Sequence, residues 1–265
     1  MLKQEKPIRS DIAWSTADRI VVRGLSLPDE ILGHFNLGDF AYFNLTGEKP
    51  TPHQSAVFNA IVITLVEHGV TPSALVARMT YAGAPESLQA AVAAGLCGLG
   101  TVFVGTMEGA TRLLYEVLPK SAPDPDDLEA LARDVVVRFR AENRAIPGIG
   151  HPIHKPVDPR TPRLFQIAAE NGLSGRYVKL MGLVQTEAER ATGKVLPLNA
   201  TGAIGAICCE FGFPAEIIRG FGVMARAIGL IAHLIEETRS PMALEVWRRA
   251  EEEASRHMRP DTSAS

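Results

Sequence analysis

The chain is 265 residues long, 46% hydrophobic and 22% charged, with a formal charge of −3. That length buries a sizeable core in one or two domains, and the slightly acidic balance offers nucleic acid no general attraction. Three cysteines without C-x-x-C spacing, two of them adjacent (Cys208 and Cys209), argue against a zinc ribbon or a disulfide framework and fit a reducing, cytoplasmic setting.

The opening MLKQEKPIRSD lacks the apolar stretch of a signal peptide. Charge interrupts the apolar runs before ~20 residues, so no membrane span is expected. Residues 12–14 and 19–23 are short and β-rich around a polar turn and read as a small hairpin. From Leu27 onward the pattern is helical. Ser26 caps a first helix with Pro28 in its first turn and Asp29 and Glu30 at its positive end. Further helices are expected over about 37–45, 52–67, 72–81, 86–99, 107–118, 126–142, 161–170, 177–191, 201–210, 214–237 and 243–257. Helix 52–67 is apolar on most of its circumference, which implies burial on several sides. Helix 86–99 is rich in Ala and Gly, which suits a tight interface. The final RPDTSAS reads as frayed. Long helices joined by short loops mean an all-α fold. No G-x-G-x-x-G lies in a βαβ setting, so no dinucleotide fold is expected.

One segment resists a purely structural account. IPGIGHPIHKPVDPR, residues 146–160, holds four prolines and so cannot be a helix or a central strand. Gly148 and Gly150 let backbone approach a ligand. His151, His154, Lys155 and Arg160 add four donors, suited to a small anionic molecule. Asp158 is the internal alternative that would neutralise the cluster. A metal is not expected, because no carboxylate or Cys stands at ligand spacing in this loop. Elsewhere, His68 at a helix end is favoured by the helix dipole alone, and His53 and His233 read as structural. Arg226 lies in the apolar GVMARAIGLIAHLI and needs a carboxylate or phosphate partner, internal or bound.

The pattern G-x-G-H…D-P-R over 148–160 resembles the citrate synthase superfamily. So do EHG at His68, KVLPLNATGAIGA (194–206) and FGVMARAIGLIAHLIEE (221–237), in the right order over about 12–250. The length fits the compact group similar to citryl-CoA lyases and to the C-terminal lyase module of ATP-citrate lyase. The resemblance implies an all-α two-domain fold. A large domain would comprise 1–104 and 206–265, and a small domain, 105–205, would close over coenzyme A.

It also implies cleavage or formation of the C–C bond between a CoA thioester and a 2-oxo acid, as in citryl-CoA to acetyl-CoA and oxaloacetate. His68 would contact the citrate-type carboxylate or hydroxyl, and His151 would exchange a proton with that hydroxyl. Arg160 and Arg226 would grip carboxylates, Lys155 and Lys194 would meet CoA phosphates, and backbone at Pro147, Gly148 and Gly150 would cradle the adenine. Coenzyme A would enter as acyl-CoA substrate, without a metal. A homodimer or dimer of dimers is implied, with helices 53–67 and 86–99 at the interface.

Two positions depart from the family pattern. Its H-G-G-A histidine falls on Val104, and its N-V-D aspartate, the carbon acid/base, falls on Thr201. Three readings follow: a lyase whose acid/base is water, Glu108, Glu86 or His154; a family member acting on another thioester or oxo acid; or a non-catalytic CoA or carboxylate binder.

Overall fold

The computed structural model describes residues 8–259. The start of the segment read for a signal peptide, 1–7, and all but the first residue of RPDTSAS lie outside it. A small antiparallel sheet comes first: β1 (Ala13–Ser15), β2 (Ile20–Val22) and β3 (Leu25–Ser26), in the order β1-β2-β3. The third strand was not expected. Arg23 and Gly24 both take positive φ, 50° and 86°, and make a tight turn that pairs Val22 with Leu25. The helix expected after Ser26 is a single wide turn over Leu27–Ile31, with Ser26 accepting from the Asp29 amide.

The rest is helical: α1 (Leu37–Thr46), α2 (Pro52–Val66), α3 (Pro72–Gly83), α4 (Leu88–Cys97), α5 (Gly105–Val117), α6 (Leu128–Ala141), α7 (Arg160–Glu170), α8 (Arg176–Thr192), α9 (Ala200–Glu210), α10 (Ala215–Arg239) and α11 (Ala243–Ser255). Local chemistry sets the ends. Thr51 and Gln54 form a capping box on α2; Thr71, Asp127 and Asn199 cap α3, α6 and α9; Gly47 and Gly193 end α1 and α8 in the left-handed conformation.

The main core joins α2, α5, α6, α8, α9 and α10 through Phe58, Ile61, Met107, Leu114, Phe139, Leu180, Ile204 and Phe221, all buried. Each such side chain contributes roughly 1.5–3 kcal/mol by leaving water. A smaller core of Ala74, Ala77, Ala91, Leu230 and Leu234 binds α3 and α4 to α10. The small residues of α4 therefore serve contacts within the chain: a Cβ at Gly95 would sit 2.7 Å from Leu230 Cδ1 and 2.8 Å from the Ser73 carbonyl.

One helix bears on the expectation of no membrane span. α10, at 25 residues, is long and apolar enough to cross a membrane by length and composition. Its buried face, however, packs on neighbouring helices and carries Arg226, His233 and Glu237. Exposed Glu236 and Arg239 follow on the same helix. It is the central helix of this bundle. Gly229 fixes its approach to α2, because a Cβ there would lie 2.1 Å from the Val66 carbonyl oxygen. That approach carries the end of α2, with Glu67 and His68, onto the face of α10 that bears Arg226 and His233.

Candidate active site

The 146–160 loop is tied to the start of α9. Gly150 N donates to Pro197 O at 2.7 Å, Asn199 N donates to Gly148 O at 2.9 Å, and Asn199 Nδ2 donates to Gly150 O at 2.7 Å. Gly148, at φ 88°, lies so close to Gly202 that a Cβ would stand 2.4 Å from the Gly202 Cα. The glycines thus bring loop and helix together. The backbone expected to cradle adenine is partly committed to this seam. Lys155 and Lys194 are exposed and form no ion pair among the described residues.

Asp158 is fully buried and holds Arg160 in two places, Nε at 2.9 Å and Nη2 at 2.8 Å, while its Oδ2 also accepts from Ala200 N at 2.9 Å. Burial opposes ionisation, but the Arg160 guanidinium and the Ala200 amide prevail and hold the carboxyl at about 2. The internal neutralising role is therefore real for Asp158. Arg160 is fixed in place by it, not free on both edges to grip a ligand.

Three histidines meet at the other side of the loop. His68, just beyond the end of α2, has its Nε2 3.0 Å from Nε2 of His154. The rings of His151 and His154 lie 4.4 Å apart between centroids. His151 Nδ1 accepts from the amides of Ile153 at 3.1 Å and His154 at 2.9 Å. A neutral His151 therefore carries its proton on Nε2 and is a donor. In that tautomer its Nδ1 lone pair is engaged by two amides, so toward a ligand it presents a donor. Burial lowers the pKa of both His68 and His151. For His68 the charges of Arg160, His154 and Arg226 add to the effect; for His151, those of His154, Arg160 and His68 do.

One ring nitrogen from each histidine lies within 4.8 Å of the others, a spacing a metal ion can bridge. Coordination through His151 Nε2 would require the opposite tautomer, with a proton on Nδ1 facing two N–H donors. Ligating histidines normally donate from that second nitrogen. The set is shaped for proton sharing more than for a metal.

Arg226 stands beside this cluster. It is 9% exposed, its Nη1 reaches Thr71 Oγ1 at a long 3.4 Å, and its Nε is buried with no hydrogen-bond partner among the described residues. Burial pushes its pKa down and Arg160 adds to that, while Glu67 opposes. A buried guanidinium left this way is costly unless an anion meets it.

A buried network sets the position of His68. Arg78, 1% exposed, pairs with Glu237 at 2.6 Å and also with Glu236, and donates to His233 Nδ1 from Nη2 at 2.8 Å. His233 therefore presents Nε2–H to Glu67 Oε1 at 3.2 Å, and that oxygen also accepts from the amides of His68 at 2.8 Å and Gly69 at 2.7 Å. Burial works against the Glu67 carboxylate, but the His68 amide and His233 hold its pKa below the usual range. The structural reading of His233 is right as far as it goes. Its partner Glu67, not singled out from the sequence, anchors the His68 turn. Only a glutamate adjoining a glycine-ended turn hinted at this.

Thr201 lies across Asn199 from the histidines. Its hydroxyl donates to Asn199 Oδ1 at 2.6 Å, and Thr106 Oγ1 is 2.8 Å from it. Its proton is spoken for, and it is no base near neutral pH. Val104 is buried at the start of α5 and packs toward Gly222 of α10. Glu108 is engaged by Arg112 at 3.0 Å and Arg219 at 3.1 Å.

The family model described as citrate synthase, C-terminal domain, matches residues 28–249. The chain is 33% identical to a citryl-CoA lyase from Hydrogenobacter thermophilus of known structure, with a TM-score of 0.78, covering 89% of this chain and 88% of that one. It shares its fold with an ATP citrate lyase from Methanothrix soehngenii solved with citrate and coenzyme A, at 20% identity and a TM-score of 0.74, over 90% of this chain and 40% of that one. A probable ATP-citrate synthase from Dictyostelium discoideum is 23% identical over 91% of this chain. This chain spans 40% of that relative's length.

Proposed function

The chain belongs to the citrate synthase family, and we propose that it cleaves or forms the C–C bond between a CoA thioester and a 2-oxo acid, with citryl-CoA, acetyl-CoA and oxaloacetate as the reacting set. The observation that carries this is Arg226: a buried guanidinium whose Nε has no hydrogen-bond partner among the described residues, beside Arg160 and three imidazoles. Such a pocket favours a polycarboxylate whose hydroxyl is to lose a proton. The likeness to a citryl-CoA lyase over nearly the full length of both chains supports the same reaction class.

In this reading Arg226 and the outer edge of Arg160 hold carboxylates. His151 donates its Nε2–H to the oxygen that is hydroxyl in citryl-CoA and carbonyl in oxaloacetate. That donor stabilises charge on this oxygen while the thioester enolate departs. Lys155 and Lys194 meet CoA phosphates, and the 147–150 backbone faces the adenine. Residues 105–205 act as the closing domain on 1–104 and 206–265. The working form is a cytoplasmic homodimer.

Purified protein offered citryl-CoA should release oxaloacetate, followed through malate dehydrogenase, and His151→Ala should abolish the release. Calorimetry with citrate and CoA runs alongside. Binding without turnover in either direction defeats the lyase reading and leaves a binding protein, which the proton-committed hydroxyl of Thr201 favours. Turnover only with other thioesters or oxo acids would assign a different substrate to the same site.

A further inference from the structure

The lyase reading requires one proton to leave the substrate hydroxyl and one to reach the thioester carbon. His151 can supply neither end of that exchange as a base, because its Nδ1 is occupied by two amides. Thr201 cannot either, since its hydroxyl points its proton into Asn199. Asp158 is locked to Arg160 and Ala200, Glu67 to His233 and the His68 turn, and Glu108 to Arg112 and Arg219. The remaining lone pair among these groups belongs to the His68–His154 pair. Two imidazole Nε2 atoms 3.0 Å apart hold one proton between them and leave one partner basic.

We propose that the hydrogen-bonded pair His68–His154 carries the reaction's proton, taking it from the substrate hydroxyl and returning it to the thioester α-carbon. This rests on the lyase reading. The balance closes within the site. The O–H bond breaks and its proton joins the pair, which becomes cationic. The C2–C3 bond breaks as C3–O becomes a carbonyl, and its electron pair enters the thioester enolate. The enolate carbon then takes the proton from the pair, restoring it to neutral. No external base or acid is consumed.

The surroundings suit a proton held briefly. Arg160 and Arg226 are cations near the pair, His151 is a neutral donor, and Asp158 is the nearby anion already matched to Arg160. Burial and those cations depress His68, so the lone pair is available at neutral pH and the cationic form readily yields its proton. His154 is thus a catalytic residue, and its partner His68 lies 86 residues away in sequence.

The test uses the full chain with His154→Ala and His154→Gln. Turnover of citryl-CoA should fall ~10²–10⁴-fold in both, citrate and CoA binding by calorimetry should persist, and added imidazole should restore part of the rate to His154→Ala. Nitrogen-15 NMR of the histidine rings gives a readout independent of turnover: His68 should titrate at higher pH once His154 is removed. Full turnover in either variant overturns the proposal and leaves the lyase reading intact. An unshifted His68 titration overturns it as well. Wild-type protein that binds but never turns over, yet shows the His68 shift, defeats the lyase reading while upholding the shared proton.

Discussion

At the His68 end of the site, three imidazoles and two guanidiniums lie together, and one of those guanidiniums has a buried nitrogen without a hydrogen-bond partner among the described residues. At the Thr201 end, two hydroxyls and an amide close upon one another, and the adjacent Val104 belongs to the hydrophobic core. Asn199 joins the ends, binding Gly150 with one side-chain atom and Thr201 with the other. The contrast teaches where chemistry can reside. The imidazoles are gathered at one end. The other end has settled its hydrogen bonds internally and supplies shape.

The sharpest way to break this contrast is Arg226→Met. If the charge at the His68 end exists for a ligand, citrate affinity should fall by about 2–5 kcal/mol, the usual consequence of truncating one member of a desolvated charged pair. Stability without ligand should stay level or rise, because an under-satisfied buried charge gives way to an apolar chain of similar length. Calorimetry and a urea titration read the two effects separately. A variant that unfolds more easily while keeping its affinity would mean that Arg226 serves the fold.

Glu237→Gln probes the support beneath the same end. It removes the charge facing Arg78 and disturbs the amides of Met242 and Ala243, which Glu237 Oε1 accepts at 2.9 and 2.8 Å. Breaking a buried pair costs about 3–5 kcal/mol, and the lower end is expected because Arg78 keeps Glu236 and His233. Loss of turnover beyond that explained by unfolding, read from kcat at a temperature where the variant is folded, would show that the network also holds the His68 turn. The variant denaturing at the wild-type urea midpoint would mean that the pair contributes little.

The seam between loop and α9 should show itself in acid. Asp158 ionises at about 2 in the folded protein against an ordinary value of 3.8. Its depressed folded pKa contributes stability above the unfolded value, and that contribution drains away as pH falls from about 4 through about 2. About 2 kcal/mol is at stake. Asp158→Asn should flatten that part of the stability–pH curve relative to wild type. An unchanged acid limb would place the loop's anchor elsewhere.

The helices were legible because apolar periodicity and end signals are local properties of the chain. The third strand was obscured because Arg23 reads as part of a β-rich run until its positive φ is known. The loop's importance was legible from its four prolines and its cations. The roles of its residues were not. His154 matters through His68, Asp158 through Ala200, and His233 through Glu67, at separations from 42 to 166 residues. Spacing along the chain carries no trace of such meetings. Nor does it reveal which nitrogen of His151 two amides will occupy, since that depends on how the loop turns back on its own ring.

The smallest expected effect is the one that most sharpens the contrast, at Thr201. Thr201→Val keeps the shape and deletes the hydroxyl, leaving Asn199 Oδ1 with the Gly202 amide as its remaining partner. The bond donated to Asn199 and the one accepted from Thr106 are both lost, though the Thr106 hydroxyl still reaches the Phe103 carbonyl at 2.8 Å, so the cost is about 1–2 kcal/mol. If the proton travels through His154, kcat for citryl-CoA should fall far less than the ~10²–10⁴-fold that accompanies loss of a general base, and its dependence on pH should keep its midpoint. The companion Thr201→Asp puts a carboxylate beside the Asn199 amide oxygen, which now accepts a hydrogen bond from the Thr201 hydroxyl at 2.6 Å. It should lower stability without raising turnover, because its charge would first have to displace Asn199 from the seam. A rate gain in Thr201→Asp would return carbon acid/base work to position 201 and assign the His68–His154 pair to binding alone.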